Sequence, residues 1–218
     1  MNHHFPAMGR RNLLGVAIAA GGLAAAWQPV RAETVSDTGA IAPVERLNAA
    51  LLAAMQSGPR ISFAQRFAAL TPVIEQTFDL DAVLAASIGL SWATVPNDQK
   101  AQLRAAFVRY TVASYTANFN RYNGQSFLVS PAVRNVGNGE VIVQNKLIAA
   151  DGSATPLDYV MRYGPAGWKA VDVLANGSIS RVAVQRSDFR ELLASGGAPA
   201  LMAALQRKVS NLSGGMMA

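Results

Sequence analysis

The spacing of apolar residues changes twice along this chain, and the two changes restrict the fold more than any other feature. From residue 43 to about residue 120, apolar side chains recur every three or four positions, the period of a helix with one buried face. Beyond Asn123-Gly124 they alternate with polar residues, as in a half-buried strand. Helical spacing returns at Ile179 and continues to Leu212. This order predicts an α+β fold, with helices packed on one face of a curved antiparallel sheet.

Local signals indicate where the helices before the sheet begin and end. Ser62 and Gln65 fit a capping box that opens a second helix, and Thr71-Pro72 predicts a break or kink in it. Asp79 is the expected cap of a third helix, which ends at Gly89. The first helix is expected from Pro43 to Gly58, and the longest from Pro96 to about Asn120.

About four strands are predicted in the alternating region, separated by glycine-rich turns and joined as a meander. The turns are Gly137-Asn138-Gly139, Asp151-Gly152 and Gly164 to Gly167. Two further helices follow, divided at Gly196-Gly197. We therefore expect a single domain over residues 43–212, preceded by a flexible segment at 33–42 and followed by a frayed tail at 213–218.

The first 32 residues have the pattern of a secretory signal peptide. Arg10-Arg11 precede a 14-residue apolar run, Leu13 to Ala26, and Val30-Arg31-Ala32 supplies small residues before a cleavage site. The run is shorter than the roughly 20 residues of a membrane-spanning helix. Export by the general secretory route is favoured over twin-arginine export, because Gly9 stands where Ser or Thr is usual.

Removal of that segment changes the chemistry available to the chain. His3 and His4 leave with it, and the sequence contains no cysteine, so residues 33–218 have neither imidazole nor thiol. This excludes a Ser-His-Asp triad, a cysteine nucleophile, the usual zinc ligands and a disulfide. The formal net charge falls from +6 to +3, with 16 basic and 13 acidic residues, which is too little for a nucleic-acid interface. No metal and no cofactor is expected.

Two ordered sets of residues resemble the MlaC family, also called the toluene-tolerance proteins. One set surrounds Trp92 and the other surrounds Trp168, and together they extend over most of the predicted domain. The first consists of Phe78 to Asp81, Ile88-Gly89, Trp92, Gln99 and Phe107; the second consists of Trp168, Val171 to Val173, Gly177, Ser180, Arg186 to Phe189, Gly196-Gly197 and Leu201. Leu80 stands where the family has an aromatic residue.

The resemblance implies a function. Proteins of this family are periplasmic carriers that move phospholipid between transport complexes of the inner and outer membranes. A member is expected to enclose an apolar cavity, to carry lipid rather than to catalyse a reaction, and to have those membrane complexes as partners. The segment from Arg181 to Gly197 is similar to the hopanoid-associated branch, HpnM, so the lipid class stays open between phospholipid and hopanoid.

The resemblance also suggests which residues would line such a cavity. They lie on the longest helix and on the inward face of the sheet. Each of them alone fits ordinary core packing better than a cavity wall, whereas the set together with the resemblance favours a cavity. The predicted lipid-binding residues are Phe107, Tyr110, Tyr115, Phe119, Phe127, Val129, Val141, Val143, Tyr159, Met161 and Val171.

A phosphate headgroup at the cavity mouth would favour a nearby arginine or lysine. Arg134, Lys146 and Arg162 fall on the polar strand face by alternation, which makes them poor candidates. The remaining candidates lie on the first C-terminal helix: Arg181, Arg186 and Arg190.

Two other classes of protein fit the same pattern. One is an enzyme like ketosteroid isomerase, with Asp172 or Asp158 as a carboxylate base in a dry pocket and Tyr159 or Tyr163 as hydroxyl donor. The other is an adaptor whose interior is filled by its own side chains. Cavity volume separates the adaptor from the carrier, because a lipid needs several hundred Å3.

Overall fold

The computed structural model describes residues 37–217 and contains five helices and a sheet of five strands. The helices are α1 (Ile41–Ser57), α2 (Phe63–Thr77), α3 (Leu80–Ile88), α4 (Asn97–Asn118) and α5 (Arg181–Leu212). The strands are β1 (Ser126–Gly137), β2 (Glu140–Ile148), β3 (Ala154–Gly164), β4 (Gly167–Ala175) and β5 (Ile179–Ser180). Short 3-10 helices lie at Asp37–Ala40, Gly58–Arg60 and Gly89–Thr94.

The sheet is an antiparallel meander in which every strand pairs with its neighbour in sequence, in the order β1-β2-β3-β4-β5. Tyr159 lies opposite both Val143 and Val173. The pairing shifts between Val129 and Val133 in β1, and again where Val171 forms an extra residue in β4. Such bulges bend a strand and increase its twist, which gives the sheet its curvature. The predicted α+β class is confirmed, and a two-residue fifth strand is added.

Helices cover the inward face of this sheet. α1 packs on β1 and on α2, while α4 contacts α2, α3 and α5. The core between the two layers contains large side chains from both, and several of them are fully buried. They include Leu47, Leu51, Ile74, Leu84, Leu103, Phe107, Tyr159, Met161, Phe189 and Leu201. No helix within residues 37–217 combines the length and apolar character needed to cross a membrane.

The predicted helix caps are present, but the predicted break is not. Ser62 Oγ accepts from the backbone N–H of Gln65 at 3.2 Å, and Gln65 Oε1 accepts from the backbone N–H of Ser62 at 2.9 Å. Asp79 caps α3 through the N–H of Ala82. Of the two alternatives at Thr71-Pro72, the break is wrong, since α2 continues through Pro72 to Thr77, and the kink stays a prediction. One turn loses its backbone bond there, while the Thr71 hydroxyl donates to the carbonyl of Phe67 at 2.8 Å.

The C-terminal helical region begins later than its apolar spacing indicated. Ile179 and Ser180 pair with β4 as the fifth strand, and the helix starts at Arg181 with Ser180 as its cap. The division at Gly196-Gly197 is confirmed, because both residues have non-helical backbone angles inside α5. Gly197 has φ of 62°, which favours glycine.

The ends of the predicted domain are better packed than expected. A flexible segment is predicted at 33–42, and its first four residues lie outside the described residues. Asp37–Ala40 form a 3-10 helix, Ala40 is fully buried, and α1 begins at Ile41. A frayed tail is predicted at 213–218, yet Ser213 is buried and Met217 packs against Phe63, Ala113 and Val209. The predicted signal peptide lies outside the described residues.

A buried polar cluster crosses from α1 to the sheet. The Asn48 side-chain amide donates to Asn145 Oδ1 at 2.9 Å, and the backbone N–H of Asn145 donates to Asp158 Oδ1 at 3.1 Å. All three side chains are buried. Asn145 faces inward from β2, where the alternating pattern of the strand would place an apolar residue.

Candidate functional site

A cavity of about 450 Å3 lies between the helices and the inward face of the sheet. Its walls are α4, the first turn of α5, the start of α3 and strands β2, β3 and β4. On the helical side it is lined by Phe107 and Tyr115 of α4 and by Phe119, which directly follows that helix. On the sheet side it is lined by Leu147, Leu157 and Val173. This volume is within the range of about 300–1,000 Å3 that is typical of small-molecule sites.

Five of the eleven predicted lining residues reach this cavity: Phe107, Tyr110, Tyr115, Phe119 and Tyr159. Phe107, Tyr110 and Tyr115 are on α4, Phe119 directly follows that helix, and Tyr159 is on β3. The remaining six lie elsewhere. Phe127 and Val129 are half-buried on β1, Val141, Val143 and Met161 are in the closed core, and Val171 is the bulged residue of β4.

The N-terminal turn explains why Val141 and Met161 lie in the closed core and not in the cavity wall. The 3-10 helix Asp37–Ala40 contacts β2, β3 and β4, and the fully buried Ala40 and Val44 join the cluster that contains Val141 and Met161. The N-terminal turn thus fills one end of the curved sheet. The open cavity lies toward the other end, near Leu147, Leu157 and Ala175. In the sequence, the only sign that the cavity lies at this end of the sheet is the place of Leu147 and Leu157 in the alternating pattern of their strands.

Aromatic rings form a continuous series along the cavity wall. The Phe78 ring centroid lies 5.7 Å from that of Tyr115 and 6.1 Å from that of Tyr159. Tyr115 stacks on Phe119 at 5.9 Å, and Phe119 contacts Phe127 at 6.1 Å. Phe127, although predicted as lining, therefore supports the wall from behind Phe119. Rings at these spacings stabilise one another beyond their buried area, which helps an unfilled space to stay open.

Two tyrosine hydroxyls meet in this wall. Tyr115, on α4, and Tyr159, on β3, lie close enough for each phenol to affect the pKa of the other. Burial raises the pKa of Tyr159 to about 12, with a smaller opposing effect from the neighbouring Tyr115. Burial and the neighbouring Tyr159 raise the pKa of Tyr115 well above its ordinary value, against a smaller lowering by Arg181. Both phenols are therefore neutral at physiological pH.

The charged groups of the cavity lie where α5 begins. Asp172 is engaged by the chain: its Oδ1 accepts from the N–H groups of Val173 and Val182, and its Oδ2 accepts from the Ser180 hydroxyl. These bonds fix the first turn of α5 to β4. Arg181 is exposed and borders the same cavity. On α4, the hydroxyl oxygen of Thr111 is buried without a hydrogen-bond partner.

The other predicted polar candidates lie away from this space. Asp158 belongs to the cluster with Asn145, and Tyr163 is half exposed and packs on Trp168. Arg186 donates to the carbonyl of Ala86 at 2.8 Å. Within residues 37–217, no group of three or more His, Cys, Asp and Glu side chains is arranged to hold a metal ion. The cavity can therefore bind an apolar body along its length and a polar group where α5 begins.

An α+β fold with a partly open apolar cavity between its two layers defines a class of small-molecule-binding domain. The family model described as MlaC protein matches residues 45–207 of this chain. The chain belongs to the MlaC family. The comparisons do not test the similarity to the hopanoid-associated branch, which stays a prediction.

A similar solved structure is the phospholipid-binding protein from Ralstonia solanacearum in complex with a phospholipid. The sequences are 20% identical, the TM-score is 0.69, and the match covers 80% of this chain and 98% of that one. At this identity the likeness extends to the fold. No curated protein matches this chain.

Proposed function

We propose that this protein is a periplasmic lipid carrier that holds the apolar part of a membrane lipid in the cavity and moves it between membranes. The observation that carries the proposal is the 450 Å3 space lined by aromatic and aliphatic side chains, in a chain of the MlaC family. The phospholipid bound by the Ralstonia solanacearum protein supports the same ligand class.

The free energy of chain burial explains why such a carrier needs a cavity. Each buried methylene contributes about 0.8 kcal/mol, so leaving a chain of ~15 methylenes in water costs about 12 kcal/mol. A soluble protein that covers those methylenes removes most of that barrier. Release into water would restore it, so transfer requires contact with an acceptor. The proposed partners are the lipid transport complexes of the inner and outer membranes.

The predicted signal peptide over residues 1–32 supports a periplasmic location. The cavity takes an apolar body with little directionality, so volume and length select the ligand more than chemical detail does. Phospholipid and hopanoid thus both remain candidates on apolar grounds. The polar groups at the start of α5 are the feature that distinguishes them.

The proposal is tested by native mass spectrometry of residues 33–218 purified from a periplasm, followed by extraction into organic solvent. A bound phospholipid or hopanoid is expected, and its mass names the class. A protein that stays ligand-free after incubation with native membranes would contradict the carrier function. It would then favour the adaptor, although an adaptor filled by its own side chains does not need a space of this volume.

The enzyme alternative is favoured by one observation: Asp172 and Tyr159 border the same cavity. The hydrogen bonds of the Asp172 carboxylate, however, serve the start of α5. Asp172→Asn separates the two functions. A carrier retains lipid transfer after this change apart from any loss of stability, whereas an isomerase loses turnover on steroid or terpenoid substrates that the unchanged protein converts.

A further inference from the structure

A second concave region, here called the Trp92 groove, lies between the 3-10 helix Gly89–Thr94 and the first half of α5. Its volume is about 1080 Å3. Its apolar lining includes Ile88, Leu90, Trp92, Val95, Leu193 and Ala198. Among the described residues, none that lines this groove also lines the lipid cavity, so the two spaces are separate.

The rim of the Trp92 groove exposes large apolar side chains. Leu90 is 98% exposed, so almost its whole side chain is in water, and Trp92 beside it is only half-buried. A single exposed leucine is ordinary on a protein surface, but a leucine and a tryptophan at the edge of a concave space are typical of an interaction surface. Small residues line the groove as well, among them Ala85, Ala194 and Gly197, and they leave room for an incoming side chain.

The charge of the groove is positive and unbalanced. Arg186 and Arg190 line it from α5, and Lys100 Nζ lies 5.3 Å from the centroid of the Trp92 ring. Arg186 donates to the carbonyl of Ala86 through Nε, while exposed Arg190 makes neither an ion pair nor a hydrogen bond to any described residue. No acidic side chain is present among the described residues that line the groove. The arginines are therefore available to carboxylates from outside.

Both sets of residues that resemble the MlaC family contribute to this groove. From the first set come Ile88, Gly89, Trp92 and Gln99, and from the second come Arg186 and Gly197. The contact between α3 and α5 includes a hydrogen bond from the Ser87 hydroxyl to Gln185 Oε1 at 3.0 Å. Gln185 lines the cavity, whereas its neighbour Arg186 lines the groove. Lipid binding in the cavity thus does not explain why these six residues lie together.

The shape and charge of the groove select one kind of occupant. A concave apolar groove accepts a segment of protein that presents apolar side chains on one face, such as an amphipathic helix. A membrane surface is flat and is bound by a protruding apolar face. Arginines at the edge of an apolar groove complement acidic residues beside the apolar ones. A second copy of this chain fits less well, because the chain has an excess of basic residues.

We propose that the Trp92 groove is the docking site for an acidic, apolar segment of a partner protein. The apolar side chains of that segment cover Leu90 and Trp92, and its carboxylates pair with Arg186 and Arg190. This inference rests on the proposed carrier function, to which it adds a contact surface that is separate from the lipid. Apolar burial supplies the affinity, while the arginines determine which segment is accepted.

Site-specific photo-crosslinking in cells that produce the full chain tests the inference. Leu90→p-benzoylphenylalanine is expected to form a crosslink to a protein, and mapping by mass spectrometry should place it in a segment rich in Asp and Glu around apolar residues. Leu128→p-benzoylphenylalanine is the control, because Leu128 is 58% exposed but lies on β1, and it should not capture that segment. Crosslinks from position 90 to a basic segment, to lipid alone or to no protein would overturn the inference.

Reversal of one charge tests the role of the arginines. Combined with the crosslinker at position 90, Arg190→Glu is expected to lower the yield of the crosslink about tenfold, because it places like charges opposite each other. Arg207→Glu makes the same change at an exposed position of α5 outside the groove, so its yield should equal that of the unchanged chain. Equal yields in the two variants would contradict the proposal.

The lipid content of the purified proteins separates this inference from the carrier function. Neither Leu90 nor Arg190 lines the cavity, so native mass spectrometry should find the same bound lipid in Leu90→Ser, in Arg190→Glu and in the unchanged protein. An unchanged protein without lipid would contradict the carrier function, while the crosslinks would still test the groove. Loss of lipid in the two variants alone would mean that the groove serves the cavity, and would overturn the docking site.

Vesicles of phosphatidylglycerol and phosphatidylethanolamine test a membrane as the occupant. Residues 33–218 and the same chain with Leu90→Ser should sediment with these vesicles to the same extent, since the groove is proposed to bind protein. If Leu90→Ser abolishes sedimentation that the unchanged chain shows, the groove is a membrane anchor and the inference is overturned.

Discussion

Tyr115 of α4 and Tyr159 of β3 approach each other inside the cavity wall, where both rings pack on Phe78, at centroid distances of 5.7 Å and 6.1 Å. Only the neutral phenols are compatible with this desolvated position, which is why burial raises the pKa of both. This pair of phenols is thus a structural element of the cavity and also a titratable one.

The stability of the protein should decrease in alkaline solution because of this pair. A phenol with a raised pKa in the folded state binds its proton more tightly there than in the unfolded chain, so its contribution is complete below about pH 10 and is lost as the pH rises through about 12. For Tyr159 the loss amounts to about 3 kcal/mol, since one pKa unit is about 1.4 kcal/mol.

Urea unfolding at increasing pH and near-ultraviolet absorbance of phenolate would measure this effect. The absorbance should show that two of the five tyrosines ionise at a pH well above that at which the other three ionise, or that they ionise only when the chain unfolds. Above pH 10, Tyr159→Phe should lose less of its unfolding free energy than the unchanged protein does, because it lacks this phenol. An unchanged alkaline profile in that variant would contradict the assignment.

Filling the cavity should remove ligand without unfolding the chain. Val173 projects from β4 into the space, and Val173→Trp would occupy a large part of its 450 Å3. The unfilled volume limits the cost of overpacking to at most about 1–3 kcal/mol. Bound lipid, measured by native mass spectrometry, should disappear.

Leu128→Trp provides the control for this variant, because Leu128 is 58% exposed on β1 and outside the cavity. It should bind lipid as the unchanged protein does. Equal lipid content in Val173→Trp and Leu128→Trp would mean that lipid binds somewhere else.

The buried amide pair should contribute to stability and not to binding. Asn48→Ala leaves Asn145 Oδ1 without its donor, at a cost of about 1–3 kcal/mol for an unsatisfied buried group. Neither residue borders the cavity, so lipid retention should persist. A double-mutant cycle of Asn48→Ala and Asn145→Ala, measured by urea unfolding, should give a coupling that a pair of independent sites would lack.

The glycines that divide α5 should be sensitive to a single methyl group. A Cβ on Gly196 would lie 2.8 Å from the Cβ of Ala200, closer than real Cβ atoms approach. We expect Gly196→Ala to lower the unfolding free energy by about 1–3 kcal/mol, the cost of overpacking. Adding Ala200→Gly should relieve the contact, so the double variant should be more stable than Gly196→Ala. If the double variant is instead less stable than Gly196→Ala, the loss of stability comes from the backbone at residue 196 and not from the contact with Ala200.

The sequence predicted the order of elements and most helix ends, since capping groups and glycines act within a few residues of one another. It located the cavity wall on α4, because the wide apolar arc of that helix is a local pattern. It did not predict that Ala40 closes one end of the sheet, and it named Arg181 for the cavity mouth without distinguishing it from Arg186 and Arg190. Those positions depend on contacts between residues far apart in sequence, as does the inward Asn145, whose partner Asn48 is 97 residues away.

The order of strands in the meander affects the order in which the parts of this protein fold. Each strand pairs with the one before it, so the sheet forms from successive hairpins with short loops to close, which is a fast kind of step. The wall contributed by α5 follows the sheet in the chain, so it emerges after the strands during synthesis. Until it docks, the apolar face near Leu157 and Val173 is uncovered, and a chain held at that stage presents a surface prone to aggregation. Docking of α5 therefore completes the cavity and also removes the surface through which the chain would aggregate.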